Sequence, residues 1–165
     1  MRWLAWAWGI GGIFLLLAQA LTALVPLACA AIEMPWSAGQ WAFAVSWVLF
    51  MGYAEGYRGF QTRFSPRVVR RAIHLFENPR PLHLLFAPLF CMGLIHASRK
   101  RIIANWALVG GIAGLVLAIG MLAQPWRGLV DLGVVLGLGW GMVAIVGFVV
   151  RTARGRPPDI DPDLP

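Results

Sequence analysis

Glu55 and Asp131 are carboxylates set within or beside long apolar stretches, and their chemistry stands out from those surroundings. An ionisable group at membrane depth is costly, so it points by default to a proton relay, an ion path or an ion-pair anchor. Each acid also has a cation on its own stretch of chain. Arg58 follows Glu55 by three residues, and Arg127 precedes Asp131 by four. On a helix these spacings bring side chains together, so the expectation is local pairing, with Glu55 and Asp131 as ion-pair or proton-site candidates. A small proton-linked carrier using the two acids is the rival reading.

The histidines raise the question of haem. His83 and His96 are 13 residues apart on one apolar segment, a spacing that could serve two b-type haems on one helix. Each haem would need a second ligand from another helix, and the remaining histidine, His74, lies elsewhere. No cofactor is expected. No pair of Cys or His residues has metal-ligand spacing, so no metal is expected either. The four serines, Ser37, Ser46, Ser65 and Ser98, sit in no nucleophile elbow, and no phosphate loop or HExxH signature occurs. Gly9-Ile10-Gly11-Gly12 lies inside an apolar run and not between a strand and a helix, so it is no dinucleotide fingerprint. The chain is read as non-catalytic.

The elements that must position these residues are built for lipid. Hydrophobic residues make up 59% of the chain and charged ones only 13%, against about 25% charged in soluble domains. Stretches 3–32, 36–56, 102–123 and 129–150 are each apolar for about the 20 residues that a bilayer-crossing helix needs. Continuous apolar runs select helices over barrel strands. The expected fold is therefore all-α, a polytopic integral membrane helical bundle of four transmembrane helices in one domain over residues 1–151. The Arg2-led first run and Ala18-Gln19-Ala20 have the parts of a signal sequence, but the run stays apolar through Leu27 and reads as an uncleaved span. Trp3, Trp6, Trp8, Trp36, Tyr53, Tyr57 and Trp126 fit interfacial aromatic belts. Cys29 and Cys91 read as small apolar residues.

Residues 82–98 form the ambiguous segment, a possible fifth span. As a helix they would reach only about 25 Å, short of a hydrocarbon core of about 30 Å, and Pro88 sits near the middle. With four crossings every basic residue except Arg127 falls on one side, whereas a fifth crossing divides them almost evenly. Basic residues concentrate on the cytoplasmic side. The expectation is a short apolar helix that does not cross, with both termini cytoplasmic, in a bacterial inner membrane.

Residues 66–77 read as a separate amphipathic helix. Ser65 is a suitable N-cap, Pro66 fits the first helical position, and Asn78-Pro79 stops the helix. Val68, Val69, Ala72, Ile73, Leu75 and Phe76 share one arc, and Arg67, Arg70, Arg71, His74 and Glu77 take the other. Such a helix should lie in the interface, with Arg67, Arg70, Arg71 and His74 facing anionic headgroups or a partner. The membrane surface accounts for the positive charge, so nucleic acid is not expected.

Gly133, Gly137 and Gly141 recur every fourth residue along the last span, and Gly110 and Gly114 do so in the preceding one. Small-xxx-small faces let helix backbones approach closely. The expectation is that these two neighbours pack on each other, with a homo-oligomer or partner interface along the Gly133 face as the alternative. Residues 152–165, rich in proline and aspartate, read as a disordered tail. Taken together, the residues point to a small multi-pass protein that packs with, assembles or regulates another membrane component.

Overall fold

In the computed structural model, which describes residues 2–78 and 84–162, every regular element is helical. Helix α1 spans Arg2–Ile32 and α2 spans Ala38–Met51. A wide π-helical run, Gly52–Phe64, follows without a break and leads into α3, Ser65–Glu77. A short α4, Ala87–Cys91, precedes α5, Arg99–Gly120, and α6, Trp126–Ala153. By length and composition α1, α5 and α6 can each cross a membrane, which marks the chain as an integral membrane protein.

The second apolar stretch differs from the single α-helical span expected over 36–56. Ser37 starts it with a capping box: Gln40 N donates to Ser37 Oγ (3.3 Å) and Ser37 N donates to Gln40 Oε1 (2.8 Å). The helix then changes type at Gly52 with no interruption in backbone angles, and Ser65 N closes the wide run by donating to Phe60 O. π-Helices are mostly single-turn bulges, so 13 residues in this form make an unusually long one. Ser65 itself is fully helical (φ −59°, ψ −45°), and its buried hydroxyl has no hydrogen-bond partner. It does not cap α3, because the preceding residues are already wound and leave no free helix end to cap.

Helix α3 does not stand apart from the bundle. Its apolar arc, Val68, Ala72 and Leu75, packs with Ala5, Ile10 and Ile13 of α1, Phe90 and Cys91 of α4, and Ile145 of α6. Arg2 Nε donates to Phe76 O (2.9 Å), which sets the start of α1 beside the end of α3. The densest core thus sits at this end of the bundle, where three long elements and α4 converge.

Residues 82 and 83 lie outside the described set. The rest of the expected short helix is broken: residues 84–85 are helical, a turn at 86 separates them from the one turn of α4, and non-helical chain follows over 92–98. Helix α4 docks on α1 at two glycines: a Cβ on Gly9 would stand 2.9 Å from Cys91 Sγ, and one on Gly12 would collide with Pro88. Any larger residue would push α4 off α1.

Candidate functional site

Arg71 organises the basic end of the bundle. Its side chain is only 2% exposed, the reverse of the headgroup-facing position expected from the helical wheel. Nε donates to Phe90 O (2.6 Å), Nη2 donates to Ile95 O (3.0 Å) and His96 O (2.8 Å), and Nη1 donates to Pro162 O (2.7 Å). The guanidinium also lies over the Phe90 ring, 4.3 Å from its centroid. The planar fork of arginine suits this task, since it presents several donors in fixed directions at once.

The chain that Arg71 holds is the irregular segment after α4. Non-helical backbone tolerates a low-dielectric setting only where protein groups satisfy its carbonyls. Here α5 supplies the remaining donors. Asn105 Nδ2 donates to Met92 O (3.1 Å) and Gly93 O (2.9 Å), and Trp106 Nε1 donates to Leu94 O (3.1 Å). Gly93 (φ +74°) and His96 (φ +50°) let the chain turn within this clamp. His96 therefore contributes its carbonyl to a structural junction, and His83 lies outside the described residues. His74 stacks with the same aromatic ring, its own 6.3 Å from that of Phe90. Arg67 and Arg70 are half-buried, and Arg67 Nε donates to Arg63 O (2.6 Å).

The two acids are not brought together. Glu55 is half-buried in the π-helical run against α6, its Oε2 standing 3.0 Å from the place of a Cβ on Gly137. Asp131 is 3% exposed and lies one turn beyond Gly128, on the side of α6 that meets Ala31 and Leu27 of α1. Its Oδ2 has no hydrogen-bond partner. Among the described residues neither Glu55 with Arg58 nor Asp131 with Arg127 closes to ion-pair contact, although Arg127 stands near enough to Asp131 to attract it electrostatically. Arg58 is exposed and Arg127 half-buried.

The glycine stripe of α6 finds a partner, though not the one expected. Gly133 receives Trp47 and Met51 of α2, Gly137 receives Glu55, and Gly141 receives Phe60. The π-helical run answers in kind, since a Cβ on Gly56 would stand 2.9 Å from the Trp140 ring. Two hydrogen bonds lock the register, Trp47 Nε1 to Val130 O (2.9 Å) and Trp140 Nε1 to Gln61 Oε1 (2.8 Å). The stripe on α6 advances four residues at each step. Its partners advance from Met51 to Glu55 and then to Phe60, a step of four followed by one of five. The longer step is what a helix bonded i to i+5 presents, so the change of helix type keeps the two surfaces in phase.

Gly110 and Gly114 of α5 behave differently, with nothing within 4 Å of a Cβ at either position. No residue of α5 is buried. The expected packing of the last two helices through their glycines therefore does not form. Sequence reasoning missed Arg71 as a buried hub, because a helical wheel reports direction and not what fills the space on the polar side. It also missed the close approaches at Gly9, Gly12 and Gly128, for which spaced glycines in apolar runs were the available signal. Comparison with known proteins finds no matching family model, no matching curated relative and no matching solved structure.

Proposed function

We propose that this chain is a non-catalytic multi-pass membrane protein that packs with and assembles or regulates another membrane protein, using α5 as its contact helix. The observation that carries this reading is the contrast on one chain between a glycine stripe filled by side chains on α6 and an open one on α5. A spanning helix gains no hydrophobic drive for association in lipid, so a close-approach face is useful only against another helix. In this reading the bundle crosses four times, α2 and the π-helical run together making the second crossing. The clamped segment after α4 stays on the side of the termini, and that basic side is cytoplasmic by the distribution of arginines. Arg2 beside Phe76, and the carbonyls of 90–96 held by Arg71, Asn105 and Trp106, support this course of the chain. Anionic lipids are the second partner, drawn by the arginine-rich end, in a bacterial inner membrane.

The test is co-purification from native membranes in a gentle detergent. Gly110→Leu with Gly114→Leu should lower the yield of the partner at least tenfold, about 1.4 kcal/mol of binding, without loss of the folded chain. An unchanged set of co-purifying proteins would defeat the proposal. A second copy recovered in place of a different protein would make the contact a homo-oligomer. The carrier reading gains nothing from the separated positions of Glu55 and Asp131. A proton or ion flux in proteoliposomes that disappears with Glu55→Gln and Asp131→Asn would restore it.

A further inference from the structure

As far as residue 162 the C-terminal tail stays against the bundle. Gly155, in the left-handed region (φ +75°), ends α6, with Arg156 N donating to Arg151 O (2.9 Å) and Gly155 N to Thr152 O (2.9 Å). The chain then returns across α3 until Pro162 O meets Arg71. Between the returning tail and the helices is a recess of about 590 Å³, walled by Thr62, Arg63, Arg67, Arg101, Ile160 and Asp161. That is within the size range of small-ligand sites, roughly 300–1,000 Å³. A smaller cavity of about 40 Å³ adjoins it, between Arg67, Arg71, Arg101, Asn105 and Pro162.

Three elements contribute the cations of the recess: Arg63 from the π-helical run, Arg67 from α3 and Arg101 from the first turn of α5. The bond from Arg67 Nε to Arg63 O ties one guanidinium of the recess wall to the preceding turn. Among the described residues that wall the recess, three are arginines and one, Asp161 of the tail, is an acid. A phosphate oxygen set matches guanidinium forks better than a single carboxylate does, and arginine is the preferred partner for both. The same end of the bundle carries Trp3 (70% exposed) and Trp8 (47% exposed), the amphipathic residues expected at headgroup level.

We propose that this recess is a binding site for the phosphate of an anionic lipid headgroup, and that the tail, through Asp161, is its built-in occupant, displaced when the lipid binds. The inference rests on the part of the reading above that sets the arginine-rich end at the headgroups, and it does not need the partner at α5. The tail then reports the charge of the surrounding leaflet: bound over the arginines in a neutral bilayer, released in an anionic one. Release also removes the Pro162 acceptor from Arg71 and leaves the three carbonyls of the 90–96 chain in place on it.

The experiment uses the full chain in nanodiscs of phosphatidylcholine, with or without phosphatidylglycerol. A spin label is placed at Pro157→Cys in a Cys29→Ser background, Cys91 being buried. Phosphatidylglycerol should mobilise the label, and Asp161→Asn should increase the lipid retained on purification at least threefold. Arg63→Ala with Arg67→Ala should reduce that retention at least fivefold, with a melting transition like that of the parent chain. Retention unchanged in either variant, or a label insensitive to phosphatidylglycerol, would overturn the proposal. Displacement of the tail by inorganic phosphate in a neutral bilayer, as complete as that by the lipid, would overturn the lipid assignment in favour of a soluble anion. Failure of the α5 reading would show itself separately, as an unchanged set of co-purifying proteins alongside normal lipid retention.

Discussion

Helices α5 and α6 are consecutive, similarly apolar, and each carries glycines at four-residue spacing, yet one is embedded in the bundle and the other stands beside it. The difference lies in what faces them. Helix α6 meets Trp47, Met51, Glu55 and Phe60 in a register that the π-helical run keeps in phase, and each knob fills a glycine hole. Helix α5 is tied to the rest chiefly through its first turns, where Asn105 and Trp106 hold the irregular chain that Arg71 also holds. A glycine stripe is thus a capacity for close packing, and a matching set of side chains turns it into an interface.

The comparison breaks most severely at Arg71. Arg71→Ala leaves the carbonyls of Phe90, Ile95 and His96 without these donors and empties a buried site, so a loss of about 3–5 kcal/mol is expected in detergent unfolding. Arg71→Lys should recover only part of it, since a point charge cannot reproduce the fork. A stability within 1 kcal/mol of the parent for Arg71→Ala would mean that this junction does not hold the bundle together.

Next in size is Gly137→Leu, which drives a side chain into Glu55 and should cost about 1–3 kcal/mol or more through overpacking. Chemical denaturation in the same detergent measures it. Asn105→Leu tests the tether of α5 at about 1–2 kcal/mol, by stranding the Met92 and Gly93 carbonyls. Proteolysis of the segment after α4 should accelerate in parallel. The smallest effect belongs to Gly114→Leu, expected within about 0.5 kcal/mol of the parent chain, because nothing lies near enough to clash. A large loss there in the isolated chain would show that α5 packs within the bundle after all, and the contrast with α6 would collapse.

Several features were legible in the residues alone. The apolar runs mark helices because lipid leaves backbone groups no outside partner. The end of α3 at Glu77 coincides with the Asn78 stop signal, whereas its start at Ser65 continues the π-helical run and uses no cap. What lay beyond reach was how α3 is used. Its polar arc predicts water or headgroups, but Arg71 on that arc is covered by α4, the chain after it and the returning tail. The tail, whose composition predicts disorder, gains a partner in Arg71 that no local pattern announces. The pairing of Glu55 with Arg58, well spaced for an α-helix, fails where the backbone is π-helical, because one turn no longer returns after the same number of residues.

Composition and the lengths of its apolar runs settled by themselves that this chain is helical and lipid-embedded, since solvent and backbone chemistry act on each segment alone. The tertiary structure decided which glycine stripe is filled, that an arginine on a polar arc becomes a buried hub, and where the second helix widens. Those outcomes depend on groups distant in sequence meeting at fixed separations, and only the packed fold specifies these.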